Sequence, residues 1–346
     1  MPESFGAIAL CVRDFTAHSR YRAETTIIGG TSTQGFAGLN YHYMPPAKWY
    51  ENRTRAYIRG CIRFINDNVV KVAEIHNRPH ILRLFAGKVN CRLALHLHND
   101  PQEMADARTP KERQRLLDSC AAVYCVSEYI RGRFLEGLDA KAKEKVHVIY
   151  NGLESPASLP EKENIIVFAG RMTEGKGALL LAQALRIALP LLPDWNAVLI
   201  GSRRHCVAVK LTAHEKEIME TLQPLGESVE MLGFLGHTET LGYFARAGIV
   251  VVPSIWDEPF GRTALEAMAY GCALISSRRG GLKEVTADAA VTLTILTPEK
   301  LAEAIVKLAT DRHERGRLQT AARARAGHFS IAGCTKLLDK IREQIL

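Results

Sequence analysis

Short apolar runs alternate with helix-forming stretches along most of this 346-residue chain. Such runs are typical of strands buried on both faces of a parallel sheet, and the intervening helices provide the crossover connections. We predict strands at Thr26–Ile28, Leu93–Leu97, Ala122–Val126, Val146–Tyr150, Ile165–Ala169, Asn196–Ile200, Val229–Leu232, Ile249–Val252 and Ala273–Ser276. The longest predicted helix between them is Gly177–Leu192. The alternation predicts an α/β protein built on parallel sheets.

The predicted strands fall into two groups, separated by a segment rich in turn formers and charge, NGLESPASLPEKE at residues 151–163. A chain of this length is long enough for two domains, each with its own core. We therefore expect an N-terminal domain at residues 1–155 and a C-terminal domain at residues 156–327. The last segment, 328–346, is an amphipathic helix that we expect to pack back on the N-terminal domain. Its predicted apolar face carries Leu337, Leu338, Ile341 and Ile345.

The start of the chain departs from the usual order of such a domain. Phe5–Arg20 is predicted to be a helix, although a first strand normally precedes the first helix of an α/β domain. Thr26–Ile28 would then be the second strand of the sheet. We therefore expect the N-terminal domain to lack its first strand.

Charge and composition limit the classes of function. The net charge is +8, and residues 1–155 contribute 22 Lys and Arg against 16 Asp and Glu. This excess favours an anionic partner about as much as it favours ordinary solvated charge. We expect no nucleic-acid partner, because the chain has no zinc-finger spacing, RNP motif or long basic run. No apolar run is long enough to span a bilayer, and no secretory signal is recognisable. Eight scattered cysteines without a C-x-x-C pair favour buried thiols in the cytoplasm.

Two carboxylates lie eight residues apart in Ser254–Gly271, SIWDEPFGRTALEAMAYG. The strand before this segment ends at Val252, and Thr263–Tyr270 is strongly helix-forming. Glu258 therefore belongs to the loop at the carboxyl end of a strand, where open α/β sheets bind ligands. Glu266 lies about a turn inside the following helix. We expect this segment to hold a polyhydroxylated, phosphorylated ligand.

Two nearby stretches of backbone are candidate anion sites. The helix start at Phe260 and Gly261 presents backbone amides at the positive end of a helix. Gly280 and Gly281 follow the strand at Ala273–Ser276, and their turn allows a backbone nest for phosphate. A Gly-Gly turn is a weak signal by itself.

Two cations follow another predicted strand. Arg171 and Lys176 lie five residues apart in the loop AGRMTEGKG, whose glycines allow close approach of a ligand. Two cations at a strand's carboxyl end suit a diphosphate, and each charge-assisted hydrogen bond is worth roughly 1.5–3 kcal/mol. The alternative is a solvated turn leading into an amphipathic helix. The loop lacks the Walker A pattern.

Histidines cluster in the first half of the chain. His96 and His98 share one face of a predicted strand, while His76 is expected to follow a helix. A pair at this spacing can suggest a metal, but no third ligand has convincing spacing, so we predict no metal site. The remaining alternatives are a strand-end histidine facing a cleft between the domains and a histidine hydrogen-bonded within the core.

Together these motifs resemble the family-4 retaining glycosyltransferases. The resemblance is specific for Ala169–Gly177, Glu258–Glu266 and Gly280–Glu284, in that order on successive strands. It is looser over residues 70–155, where HNRP, LHLHND, VSE and VIYNG match the style of the family. The resemblance implies the GT-B arrangement of two facing Rossmann-like domains. It covers the first 65 residues only in general terms.

The resemblance also implies a role for each candidate residue. Arg171 and Lys176 would bind the diphosphate of a nucleotide-sugar donor, and Glu258 would contact the transferred sugar. Glu266 would hold the ribose, amides around Phe260 and Gly261 would meet sugar or phosphate, and His98 would reach the sugar from the N-terminal domain. The chain contains no D-x-D motif, which agrees with a donor site that needs no metal or other cofactor.

A basic helix is predicted within Lys48–Ile65. Arg55, Arg59 and Arg63 fall on one helical face, with Trp49, Tyr50, Tyr57, Ile58, Ile62 and Ile65 nearby. This pattern suits an anionic lipid surface or a phosphorylated glycolipid, and the competing interpretation is a surface helix packed on its own domain. The first interpretation predicts a cytoplasmic protein at the inner face of the membrane. Its acceptor would be a lipopolysaccharide core or a related glycan.

Three functions remain open on sequence grounds. The leading one is sugar transfer from a nucleotide donor to a glycan or glycolipid. The second is a nucleotide-sugar epimerase on the same scaffold. The third is a non-catalytic sugar-nucleotide-binding protein, although the presence of Arg171, Lys176, Glu258 and Glu266 together argues against it.

Overall fold

The computed structural model of the chain describes residues 6–29, 35–203 and 211–346. These residues form two compact units. The first unit combines Ala7–Gly152 with Ile331–Leu346, and the second spans Leu153–Ser330.

Helices and strands alternate along the chain and are labelled in chain order. The first part contains α1 (Ala7–His18), β1 (Thr26–Gly29), β2 (Asn40–Tyr43), α2 (Arg53–Asp67), β3 (Val72–His76), α3 (Pro79–Phe85), β4 (Arg92–Leu97), α4 (Pro110–Ser119), β5 (Ala122–Cys125), α5 (Glu128–Leu135) and β6 (Val146–Val148). The second part contains β7 (Glu163–Ala169), α6 (Ala178–Ala188), β8 (Asn196–Ile200), α7 (Ala213–Leu222), β9 (Val229–Gly233), α8 (His237–Arg246), β10 (Ala247–Val252), α9 (Arg262–Ala269), β11 (Ala273–Ser277), α10 (Leu282–Thr286), β12 (Val291–Leu293), α11 (Pro298–Thr310) and α12 (Arg312–Ala326). The final helix, α13 (Ile331–Gln344), belongs to the first unit.

The first unit contains a four-stranded parallel sheet with the order β3-β4-β5-β6. Strand β1 instead pairs with β2 in a separate two-stranded parallel sheet, so the prediction that Thr26–Ile28 belongs to the main sheet was wrong. Strands β2 and β3 were missed, because their sequences, NYHY and VAEIH, mix polar and apolar residues and form no apolar run. Helix α1 precedes the first described strand, as the sequence predicted.

The core of the first unit joins both ends of the chain. Cys11 and Phe15 of α1 are buried with Leu338 and Ile341 of α13, against side chains of the parallel sheet. Leu337 was predicted to share this buried face, but its side chain is 47% exposed. The buried stripe of α13 runs through Ile331, Cys334, Leu338 and Ile341 at three- and four-residue spacing, and Leu337 lies at the edge of this stripe.

The second unit contains a six-stranded parallel sheet with the order β12-β11-β10-β7-β8-β9. In this sheet the first strand along the chain, β7, is central. The next two strands, β8 and β9, lie on one side of it, and β10, β11 and β12 lie on the other. The point between β7 and β10, where the direction of strand addition reverses, is where doubly wound α/β sheets bind their ligands. The five predicted strands are confirmed within two residues at each end, and the three-residue strand β12 was missed.

Helices cover the second sheet and fill its core with apolar side chains. Ile166 and Phe168 of β7, Leu199 of β8 and Val251 of β10 are nearly inaccessible and pack among the residues of α6 and α11. The predicted helix Gly177–Leu192 is observed as α6, and it ends four residues early in a short 3₁₀ turn, Leu189–Leu191.

Membrane-spanning helices and disulfides are considered for the described residues. No helix among the described residues is long and apolar enough to cross a membrane. The seven cysteines of the described part of the chain are all free thiols, and Cys206 lies outside it.

Candidate active site

Two predicted functional loops of the second unit lie at the switch point of its sheet. Strands β7 and β10 are hydrogen-bonded neighbours, with Val167 opposite Val250. The two strands run parallel to each other, so the loops at their carboxyl ends emerge at the same edge of the sheet. The β7 loop ends in a short 3₁₀ helix, Glu174–Lys176, and the β10 loop carries Glu258.

The structure brings Lys176 and Glu258 into direct contact. Lys176 Nζ lies 2.6 Å from Oε1 of Glu258, whose side chain is buried. The same oxygen accepts hydrogen bonds from Ser254 Oγ at 2.5 Å and from Trp256 Nε1 at 3.0 Å. The carboxylate is therefore fixed by one cationic and two neutral donors, which is the satisfied state that a buried charge requires.

Backbone contacts fasten the two loops to each other. The Gly175 carbonyl accepts hydrogen bonds from the amides of Ile255 at 2.8 Å and Trp256 at 3.3 Å, while Lys176 Nζ lies 5.2 Å from the centre of the Trp256 ring. Gly177 has a φ of +73°, and a side chain there would overlap the Pro253 carbonyl oxygen. Only glycine fits this position without strain or a clash. The close approach of the β7 loop to the β10 loop therefore requires a glycine here.

Arg171, the second predicted cation, lies in the same β7 loop and has an exposed side chain. Its carbonyl accepts from the Thr173 amide at 2.8 Å, and the amide of buried Met172 donates to the Ser202 carbonyl at 3.2 Å. The backbone of the loop is thus anchored to its neighbours while the guanidinium faces solvent.

Gly280 and Gly281 support the backbone of the Glu258 loop. The Gly281 amide donates to the Glu258 carbonyl at 2.7 Å. Gly280 has a φ of +55°, and a side chain there would overlap the same carbonyl; a side chain on Gly281 would lie 2.6 Å from the Pro259 carbonyl oxygen. The Gly281 amide is therefore already hydrogen-bonded to the protein backbone. The predicted contact of this glycine pair with phosphate stays a prediction, and it now concerns the Gly280 amide.

Phe260 and Gly261 connect the loop to α9. The Phe260 ring is buried with its centre 5.9 Å from that of Phe329, and the ligand contact through its backbone amide stays a prediction. Gly261 has a φ of +103°, and a side chain there would overlap Leu282. This close packing fixes where α9 begins.

Glu266 has its own set of partners within the second unit. Its Oε1 accepts from Arg262 Nε at 2.7 Å, one turn earlier on α9, and lies 2.9 Å from Nε2 of His237 at the start of α8. Burial alone would raise the pKa of this carboxyl, but the Arg262 charge and the His237 hydrogen bond outweigh it and hold the pKa below the ordinary value. Glu266 is therefore an anchored anion whose partners differ from those of Glu258.

His98 belongs to the first unit, where it follows β4. His76 ends β3 and is the register partner of His96; their rings stack with centres 4.1 Å apart. His76 Nδ1 lies 3.1 Å from His98 Nε2. Asn77, with a φ of +56°, accepts hydrogen bonds from the amides of His98 at 3.1 Å and Asn99 at 3.2 Å. The turn after β3 thus holds the turn after β4 in place.

Two expectations about the histidines were wrong. His76 ends a strand, not a helix, and it supplies the third nearby imidazole that the sequence did not reveal. One ring nitrogen from each of His76, His96 and His98 lies within 4.8 Å of the others. Burial is the main reason that the pKa of His76 falls well below its ordinary value, and the neighbouring histidines lower it further. His76 is therefore neutral at physiological pH.

Several residues that build these sites were not predicted from the sequence. Ser254 and Trp256 stand in the segment that was singled out, but nothing in their spacing shows that they point at Glu258. Arg262 precedes Glu266 by four residues, so its ion pair had a helical signal that went unused. His237 contacts Glu266 from 29 residues away and gave no local signal.

The basic helix is present as α2. Arg55, Arg59 and Arg63 are exposed on it, and Arg59 is paired with Glu51 at 2.5 Å. Its apolar stripe, Ile58, Cys61 and Ile65, is buried in the first unit, so this stripe packs on its own domain. Trp49 and Tyr50, just before the helix, are 96% and 63% exposed.

Known proteins resemble this chain in sequence and in fold. The chain is 25% identical over 288 residues to the lipopolysaccharide 1,2-N-acetylglucosaminetransferase of Salmonella typhimurium, covering 79% of this chain and 72% of that protein. The sucrose-phosphate synthase of Thermosynechococcus elongatus superposes with a TM-score of 0.78 at 18% identity, covering 98% of this chain and 94% of the other. Anabaena HepE, solved with UDP and glucose, superposes with a TM-score of 0.75 at 19% identity, covering 98% and 96%.

These similarities agree with a GT-B-like fold of two Rossmann-like domains, and they give no support to the epimerase alternative. Residues 153–325, which carry both the Lys176–Glu258 pair and the Glu266 cluster, match the family model for glycosyl transferases group 1. That match spans half of the chain and contains the whole switch-point site, so this protein belongs to the glycosyl transferases group 1 family.

Proposed function

We propose that this protein is a retaining glycosyltransferase that moves a sugar from a nucleotide-diphosphate sugar to a glycan or glycolipid acceptor. We place its reaction in the assembly of lipopolysaccharide or another cell-surface polysaccharide. The observation that carries the proposal is the contact between Lys176 and Glu258 at the switch point of the second sheet. Lys176 is a cation that can bind a phosphate, and Glu258 is a carboxylate that can bind sugar hydroxyls. A nucleotide-diphosphate sugar carries both groups next to each other.

Lys176 and Arg171 have the charge that a departing nucleoside diphosphate needs. As the glycosidic bond of the donor breaks, negative charge builds on the leaving phosphate, and fixed cations beside it lower the barrier. Lys176 is held by Glu258 and by the face of Trp256, so its ammonium is already positioned before the reaction. The exposed Arg171 in the same loop is the second phosphate ligand in this proposal.

Glu258 and Glu266 take different parts of the donor in this proposal. Glu258 accepts hydrogen bonds from hydroxyls of the transferred sugar, and Glu266 accepts them from the ribose. The resemblance assigns His98 a contact with the transferred sugar. These assignments follow the family pattern, and the separate partner sets of the two carboxylates support giving them separate roles.

Two finer points of the mechanism are part of the proposal. Cationic side chains take the place that a divalent metal occupies in other transferases, so donor binding would need no metal. The acceptor would attack the face of the sugar from which the phosphate leaves, with the phosphate helping to remove its proton, so that the anomeric configuration is retained.

The Salmonella relative supports the choice of acceptor, because its name gives lipopolysaccharide as its substrate. We propose a similar lipid-linked glycan acceptor for this chain and a cytoplasmic location beside the membrane. The exposed row of Arg55, Arg59 and Arg63, with Trp49 and Tyr50 before it, would contact anionic headgroups.

Transfer is tested with the full-length protein and a panel of nucleotide sugars. A thermal-shift screen identifies the donor, because a ligand at 100 times its Kd stabilises the folded state by about 2.7 kcal/mol. Transfer predicts release of free nucleotide only when acceptor is present, undiminished by EDTA, with retained configuration in the product by NMR. Lys176→Ala should abolish turnover and weaken donor binding, whereas Lys300→Ala, an exposed lysine on α11, should change neither. Donor binding without transfer to any acceptor would favour the non-catalytic alternative.

The membrane contact is tested separately with liposomes. Replacing Arg55, Arg59 and Arg63 by Gln should reduce sedimentation with anionic vesicles and remove its salt dependence, since each basic residue near the surface contributes about 1 kcal/mol. Neutral vesicles and a triple replacement of the exposed Lys141, Lys143 and Arg115 provide the controls. Unchanged binding to anionic vesicles would refute this contact.

A further inference from the structure

The trio His76, His96 and His98 in the first unit is not explained by the proposed sugar transfer, which uses only His98. One ring nitrogen from each residue lies within 4.8 Å of the others. His76 Nδ1 and His98 Nε2 are 3.1 Å apart, close to the separation of two nitrogens bound to one zinc ion at about 2.0–2.1 Å each. Three imidazoles therefore converge at the carboxyl ends of β3 and β4.

His96 contributes the second observation. Its side chain is 4% exposed, and its Nε2 lies 3.3 Å from Oε2 of Glu74. None of the described residues gives this nitrogen a well-aligned hydrogen bond. A buried ring nitrogen in this state normally costs free energy, and a bound ion is one way of satisfying it.

The charges around the trio suit a cation. Glu74 is held by a two-pronged ion pair with Arg342 of α13, at 2.6 and 2.8 Å. Arg342 also contacts Asp339 at 2.9 Å. Glu74 thus places a carboxylate beside His96, and its negative charge favours a cation bound to the neighbouring imidazoles.

We propose that His76, His96 and His98 form a binding site for a divalent transition metal ion, with Zn²⁺ as the best match. Imidazole ligands suit zinc, copper and nickel, whereas magnesium and calcium prefer oxygen. Three histidines leave a fourth position for water or another ligand. The Glu74 carboxylate, 3.3 Å from His96 Nε2, lies where it can supply that fourth ligand. Because the metal takes up His98, we expect it to inhibit any reaction in which His98 contacts the sugar.

The site is tested by metal binding, which needs neither donor nor acceptor. Zn²⁺ titrated into the full-length, EDTA-treated protein should bind one ion per chain by calorimetry. Co²⁺ bound at the same site should show the visible spectrum of nitrogen ligation without a thiolate charge-transfer band, which separates the trio from the free cysteines. His76→Gln and His96→Gln should each weaken Zn²⁺ binding at least tenfold. His80→Gln, a histidine on neighbouring α3 outside the trio, is the matched control and should bind as the wild type does.

Several outcomes would overturn the site. They are the absence of saturable Zn²⁺ binding, binding that survives both His76→Gln and His96→Gln, and a thiolate band with Co²⁺. Circular dichroism of each variant separates lost ligands from lost folding. In any of those cases the trio is a hydrogen-bonded cluster that positions His98. Because binding is measured without substrates, this result stands apart from success or failure of the transfer assay.

Discussion

Glu258 and Glu266 are both buried, both lie in one eighteen-residue segment, and both contact a cation, yet their partners come from different distances along the chain. The cation of Glu258 is Lys176, 82 residues away on another loop. The cation of Glu266 is Arg262, four residues away on the same helix. An ion pair at this helical spacing can form wherever the helix forms. The Lys176–Glu258 pair exists only when the loops after β7 and β10 are both in place, so it reports the assembled site.

The surroundings of the two carboxylates sharpen this contrast. Glu258 receives two further donors from its own loop, Ser254 and Trp256, and its backbone carbonyl is held by the Gly281 amide. Glu266 is held by Arg262 and His237. We infer that Glu258 is fixed to within a narrow geometry, as a group beside a reacting atom must be, whereas Glu266 is mainly kept ionised.

The largest expected effect therefore belongs to Glu258. Glu258→Gln keeps the shape of the side chain but removes the charge that faces Lys176, and we expect kcat to fall about 10²- to 10³-fold. Donor affinity should change far less, because the diphosphate contacts remain. Steady-state kcat and KM for the donor measure this split.

Asp257→Asn is the matched control for this variant, since Asp257 is the neighbouring carboxylate and is exposed. It should keep near-wild-type turnover. If Glu258→Gln keeps more than half of the activity, Glu258 does not act at the reacting centre and the contrast with Glu266 loses its functional meaning.

Glu266→Gln should affect stability more than chemistry. Loss of its charge-assisted hydrogen bonds is expected to lower the free energy of unfolding by about 2 kcal/mol at pH 7. The folded protein depresses the pKa of Glu266, so its contribution is complete above the unfolded pKa of about 4.3 and is lost as the pH falls through the lower, folded pKa. The gap between wild type and variant should therefore narrow as the pH falls below about 4.

Urea unfolding of the two proteins at pH 7 and near pH 3.5 measures this gap. Glu303→Gln, an exposed glutamate on α11, is the control and should be neutral at both values. A gap that is the same at pH 7 and at pH 3.5 would show that the ionised form of Glu266 is not what stabilises the fold.

The second unit was largely predictable from sequence because its signals are local. Its strands are continuous apolar runs such as GIVVV, buried on both faces, and its glycines mark positions where a left-handed turn or a close approach is needed. The positions of Lys176 and Glu258 after neighbouring strands follow from the same pattern. Their direct contact does not, because a side-chain distance between residues 82 apart depends on how two loops pack.

The first unit shows where the sequence signal runs out. Strand β3 has the mixed sequence VAEIH, so neither the strand nor its terminal histidine was recognised. Because β3 was not predicted, the pairing of β3 with β4 that sets His76 opposite His96 could not be predicted either. Arg342 likewise reaches Glu74 from 268 residues away. Long-range pairs of this kind are created by sheet register and helix docking, and neither leaves a local pattern.

The smallest effect that still separates the two carboxylates comes from Trp256, which contacts Glu258, whereas Glu266 is held by Arg262 and His237. Trp256→Phe removes the Nε1 donor to Glu258 and weakens the ring contact with Lys176. Together these contacts are worth about 1 kcal/mol, so we expect kcat to fall about fivefold with little change in unfolding free energy. Trp195→Phe is the control, because Trp195 is buried in the core and should alter stability but leave kcat unchanged. Equal kcat in wild type and Trp256→Phe would mean that Lys176 and Ser254 position Glu258 without help from Trp256, and the indole ring would then contribute to packing but not to the chemistry.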